Sequence, residues 1–83
     1  MKLLPKHVVS ARGLLGMSQA DLAKAAGVGR GTIARFELDE PPPVGEESLW
    51  RIQTALEQRG IEFLNSGSPG VRLRPERVLI KDP

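Results

Sequence analysis

Arg30, Gly31, Ala34 and Arg35 fall on one side of a short helical stretch, because Ile33 and Phe36 take its apolar side. The pairs Arg30/Ala34 and Gly31/Arg35 are each four residues apart, so two arginines flank small residues on a common face. A guanidinium matches guanine O6 and N7 in bidentate fashion, a fit set by donor geometry. Small neighbours let the helix backbone come close to whatever the arginines touch. On any other surface helix the same arginines would be solvated charges. What decides between the two is the element that presents them.

Other constellations carry less. Gly27-Val28-Gly29-Arg30-Gly31 is glycine-rich, but no strand precedes it and no Gly-Lys-Ser/Thr follows, so it reads as a turn and not a phosphate cradle. His7 is the sole imidazole and there is no cysteine, so neither a metal site nor a disulfide framework is expected. His7 reads as a solvated or capping residue. No nucleophile–base pair and no spaced carboxylates point to catalysis, and no cofactor is expected.

The presenting elements are helical. Pro5 suits a first helical position, and Val8, Ala11, Arg12 and Leu15 follow at helical spacing before Gly16. Ser18-Gln19-Ala20-Asp21 resembles a capping box and opens a second helix with Leu22, Ala23 and Ala26 inward, ended by Gly27. The third helix runs from about Arg30 to Leu38. Asp39-Glu40-Pro41-Pro42-Pro43 breaks it, and a fourth runs from about Glu46 to Gln58 with Leu49, Ile52, Ala55 and Leu56 inward. Glu46 and Glu47 favour the positive end of that helix. The second and third helices, joined by Ala26-Gly27-Val28-Gly29, have the proportions of a helix-turn-helix, in which the second helix enters the major groove. Double-stranded DNA is the partner this implies.

Charge agrees with that placement. Residues 1–38 carry six basic and two acidic side chains, residues 39–62 two and six, and residues 63–83 four and two. The basic first part suits an anionic partner and the acidic middle should face away from it. The chain has 83 residues, enough for one domain, with 40% hydrophobic and 27% charged residues and three aromatics. A base-stacking surface is thereby excluded. No run approaches a membrane span, and Pro5-Lys6-His7 cuts the opening apolar residues too early for a secretory core. A cytoplasmic location is expected.

The run Ala11-Arg12-Gly13-Leu14-Leu15-Gly16-Met17-Ser18-Gln19-Ala20-Asp21-Leu22-Ala23, then Gly27-Val28, then Thr32-Ile33-Ala34-Arg35-Phe36-Glu37, resembles the Cro/C1-type (XRE, lambda-repressor-like) regulators. The resemblance covers residues 5–58. It implies a mainly α bundle of about four helices, here with a small C-terminal β-hairpin or β tail. It implies that Gln19 reaches the DNA backbone and that Gly29, Arg30, Gly31 and Arg35 lie at the groove. With Ser18, Lys24, Thr32 and Ala34 these make up the expected DNA-binding set. It also implies that Arg12 and Glu37 form a structural salt bridge, and periodicity independently turns both toward the core, where a lone charge is costly. Gly29 departs from the pattern by replacing a capping hydroxyl residue, and the acidic loop stands where basic phosphate contacts are common.

The chain thus divides into a DNA-binding part, residues 1–60, and a β part, residues 61–83. Ile61-Glu62-Phe63 and Val71-Arg72-Leu73-Arg74 alternate across a Gly/Pro/Ser/Asn link and read as a hairpin. Its apolar face, Ile61, Phe63, Val71 and Leu73, needs a cover, for which the fourth helix is available. Its edge, helped by Val78-Leu79-Ile80, could pair with a second copy and make these residues the dimer contact. Trp50 stands off the inward stripe, to pack under the hairpin or to meet a subunit. The expectation is a homodimeric repressor on a palindromic operator. The alternative is an antitoxin-like or adaptor module that uses the β part to hold a protein partner.

Overall fold

The computed structural model describes residues 2–64 and 69–74. Its elements are α1 (Pro5–Leu15), α2 (Gln19–Ala26), α3 (Arg30–Glu37), α4 (Glu46–Glu57), β1 (Ile61–Leu64) and β2 (Gly70–Leu73). Helices α3 and α4 each stop one residue short of the expected Leu38 and Gln58, which serve as their C-caps.

Local chemistry accounts for the helix ends. Pro5 occupies the first turn of α1, and Gly16 ends it in the left-handed region at φ 68°. Ser18 Oγ accepts the Asp21 N–H at 2.9 Å, and an Asp21 carboxylate oxygen accepts the Ser18 N–H at 3.0 Å, a reciprocal capping box on α2. The Ser18 N–H and hydroxyl together hold the Asp21 carboxyl below its ordinary pKa. Gly27, at φ 71°, ends α2, and the Val28 N–H reaches back to the Ala23 carbonyl at 3.0 Å. That left-handed turn is what glycine supplies at little cost and what swings the chain into α3.

The helices enclose one core. Val8, Leu22, Ile33, Ile52 and Leu56 are its largest fully buried side chains, one or two from each helix. Burying each contributes ~1.5–3 kcal/mol relative to exposure. Leu3, Ala11, Ala23, Ala26, Ala55 and Ile61 complete it. The alanines on α1, α2 and α4 let these short helices approach closely.

β1 and β2 pair antiparallel in the register Ile61–Leu73, Glu62–Arg72, Phe63–Val71, Leu64–Gly70. Ile61, Phe63, Val71 and Leu73 therefore share one face, and all four pack against the core. The cover is chiefly α1, against β2, with a smaller share from α4 against β1, so the fourth helix expected there supplies only part of it. Gly60 gives the reason. At φ 97° it turns the chain sharply out of α4, and the Arg74 N–H closes the hairpin on its carbonyl at 2.7 Å. A Cβ there would sit 2.7 Å from the Arg74 carbonyl oxygen, so only glycine fits. On the outer face Glu62 pairs with Arg72 and, at 2.8 Å, with Arg74. Val78-Leu79-Ile80, expected as a third strand or tail, lies outside the described residues.

Candidate nucleic-acid interface

α3 has two unlike faces. Ile33 is fully buried, and Phe36 packs against the core beside it. Successive helical residues are rotated by about 100°, which centres Gly31 opposite that stripe, with Ala34 and Arg35 near it and Arg30 toward one flank. Arg30 and Gly31 are exposed, while Thr32, Ala34 and Arg35 are half-buried. Nothing lies within 4 Å of the position a Cβ on Gly31 would take. Gly29 is the N-cap and contributes no side-chain hydrogen bond; its carbonyl accepts the Thr32 N–H at 3.0 Å. The start of α3 thus offers bare backbone at Gly29 and Gly31 beside the exposed Arg30.

The outer residues differ in freedom. Arg30 makes no hydrogen bond or ion pair among the described residues. Arg35 Nε donates to the Pro42 carbonyl at 3.3 Å, a long bond in an exposed setting that a stronger acceptor can displace. Asp39, Glu40 and the three prolines follow immediately and are exposed. Lys24 sits exposed in the last turn of α2. Ser18, exposed, is engaged in capping.

The inner side holds a satisfied charge network. Arg12 Nε donates to Glu37 Oε2 at 2.6 Å and its Nη2 to Oε1 at 2.7 Å, a bidentate fork. The third arm, Nη1, donates to the Met17 carbonyl at 3.0 Å. The Glu37 side chain is 6% exposed and that of Arg12 19%. Burial pushes the Glu37 carboxyl up, yet the hydrogen bonds from Arg12 and Gln19 outweigh it and hold the pKa below the ordinary value. The same carboxylate raises the Arg12 pKa. Gln19 Nε2 also donates to Glu37 Oε1, at 3.1 Å. One carboxylate therefore joins α1, the start of α2 and the end of α3.

Three features escaped the sequence. The Gln19–Glu37 bond spans 18 residues and leaves no local mark. The burial of His7 is another: at 2% exposed it is not the expected solvated residue, while the capping alternative holds. Its Nδ1 accepts the Leu4 N–H at 2.9 Å, so it caps α1, and its ring meets Phe63 edge-on at 5.6 Å. Its spacing of four to Ala11 and eight to Leu15 was the available signal. Trp50 is 66% exposed beside Lys2, Leu3, Glu46, Leu49 and Gln53, and those neighbours are not the hairpin. Among the described residues, no group of three or more His, Asp or Glu side chains is placed to hold a metal. None of the helices described is long and apolar enough to cross a membrane.

With α2, its glycine turn and the exposed face of α3 in this arrangement, the molecule has the form of a helix-turn-helix DNA-binding protein. The helix-turn-helix family model matches residues 9–63, and the chain belongs to that family, of the Cro/C1, XRE-like type. No curated protein matches it significantly. Membership makes the chain a DNA-binding helix-turn-helix regulator.

Proposed function

We propose that the protein is a sequence-specific repressor that binds double-stranded DNA as a homodimer. The outer face of α3 carries this reading. Arg30 and Arg35 flank Gly31 there, with the backbone bare enough to lie in a major groove. The arginines supply base readout, and Gln19, Ser18, Lys24, Gly29 and Thr32 supply backbone contacts. Acidic Asp39 and Glu40 follow α3 directly and oppose phosphate, so one copy binds weakly. Two-fold pairing on a palindrome offsets that weakness through effective concentration.

The dimer contact falls to residues 61–83, with a restriction. Ile61, Phe63, Val71 and Leu73 are turned onto their own core. A second copy therefore meets the hairpin along its strand edges, whose unpaired backbone groups can extend the sheet.

Selection of bound sequences from random DNA, followed by mobility shifts in graded salt and ultracentrifugation of the complex, tests this. A two-half-site sequence bound by two copies is the expected result. Binding equal on every duplex, or one copy per site at saturation, would sink it. A protein-interaction module remains the second reading, favoured by Trp50, whose exposed ring borders a hollow of about 430 Å³ with Lys2 and Leu3.

A further inference from the structure

The Gln19 amide is held before any partner arrives. Gln19 is the first residue of α2, and its only side-chain bond among the described residues runs from Nε2 to Glu37 Oε1. The acceptor is itself fixed. Glu37 is nearly sealed from solvent and gripped on both oxygens by Arg12, whose remaining arm is anchored on the Met17 carbonyl. A carboxylate only accepts, so the bond sets which end of the amide is nitrogen and which is oxygen. One Nε2 hydrogen is committed to Glu37, and the other is left to point elsewhere. In a helix-turn-helix the first helix crosses the phosphate backbone while the second enters the groove. Gln19 opens that first helix.

We propose that Glu37 is a positioning residue for DNA-backbone recognition, orienting the Gln19 amide so that its second N–H is presented to a phosphate oxygen. The inference rests on the DNA-binding reading and adds to it a role for a residue that touches no DNA. Two effects follow from the geometry. The amide loses its rotational freedom in the free protein, so less entropy is lost on binding. The carboxylate's charge is balanced by Arg12, so an anion is not repelled from a site only one side chain away. A purely structural Arg12–Glu37 pair would give the second effect but not the first.

The test is a double-mutant cycle on duplex binding, using Gln19→Ala, Glu37→Gln and the double variant of the full chain at a temperature where each is folded. Gln19→Ala should weaken binding about tenfold in the wild-type background, the scale of one charge-assisted hydrogen bond, and distinctly less when Glu37 is Gln. Equal losses in both backgrounds, or no loss in either, overturn the proposal while leaving DNA binding intact. A wild-type protein that binds no duplex overturns the DNA reading itself, and the proposal with it. If Glu37→Gln does not fold, the side-chain amide of Gln19 in the free wild-type protein decides by NMR. One of its two protons should be protected and shifted by the carboxylate. Two rapidly exchanging, freely averaged protons overturn the positioning role.

Discussion

The two faces of α3 treat charge in opposite ways. On the inward side Glu37 is almost wholly buried and accepts three hydrogen bonds, two from Arg12 and one from Gln19. On the outward side Arg35 has one long bond to a carbonyl, and exposed Arg30, on the flank about two turns before Glu37, has no ion pair among the described residues. Eight residues thus carry both a closed network and an open one. Charge that is satisfied internally fixes helix positions, and charge left unsatisfied is free for a partner. A basic residue counts toward DNA affinity only on the second side, so Arg12 does not, despite belonging to the basic first part of the chain.

The largest effect expected from breaking that contrast lies on the inward side. Glu37→Ala leaves Arg12 without its acceptors at a largely buried site, and the loss should be ~3 kcal/mol or more in urea unfolding. Replacing both, as Arg12→Met with Glu37→Leu, should recover much of it, because no uncompensated charge remains. A single variant that unfolds like wild type would show that the pair does not hold α1 to α3. The pH dependence has a definite sign. The folded Glu37 pKa lies below its ordinary value of 4.5, so its contribution is present above that value and lost as acid carries the pH through the folded pKa.

On the outward side, Arg30→Ala and Arg35→Ala should each cost ~1–3 kcal/mol at the preferred site and relax preference at one base position. Arg35 has the bond to Pro42 to give up, so its loss should be the smaller of the two. Stability should stay within about 0.5 kcal/mol of wild type for both. Equal weakening on all sequences would assign the arginines to phosphate and remove base readout from this face.

How far these faces could be read in advance depended on the range of the interactions. The helix boundaries are local, and Pro5, Gly16, Ser18 and Gly27 marked them through caps that act within four residues. The inward stripe of α3 followed from periodicity. The hairpin's existence was legible too, but its main docking partner was not. That depends on the turn angle at Gly60, which alternation in the strands does not encode. The burial of His7, though not its capping role, was hidden by chemistry. An imidazole beside Lys6 looks polar, yet the neutral ring is apolar enough to be buried while Nδ1 caps the helix.

That burial gives a further, smaller prediction. Desolvation first, and then neighbouring Lys6, lower the His7 pKa from 6.5. The folded state therefore binds fewer protons than the unfolded chain, so stability is full above 6.5 and falls as pH drops below it. Thermal midpoints at about pH 7.5 and about pH 5.0 should fall further apart for wild type than for His7→Phe. Identical pH responses would mean that the ring is hydrated and not sealed between α1 and β1.

The smallest effects separate the two kinds of surface most cleanly, because the same substitution can be made on each. Gly13 in α1 and Gly31 in α3 both lie within helices, and nothing stands within 4 Å of the Cβ either would gain. Helical rotation puts Gly13 opposite Val8 and Ala11, as it puts Gly31 opposite Ile33 and Phe36. Alanine at either position should stabilise the fold by ~0.5–1 kcal/mol, since glycine loses more backbone freedom in a helix. If Gly31 is there to let the backbone approach a base edge, the two variants must part on DNA. Gly13→Ala should bind as wild type does, while Gly31→Ala, though more stable, should bind its site more weakly by ~1 kcal/mol, the cost of pushing donors away from optimal hydrogen-bond distance. Paired melting and mobility-shift measurements check both halves. Gly31→Ala binding as tightly as wild type would show that α3 does not approach DNA through its centre, leaving Arg30 and Arg35 to reach it from the flanks.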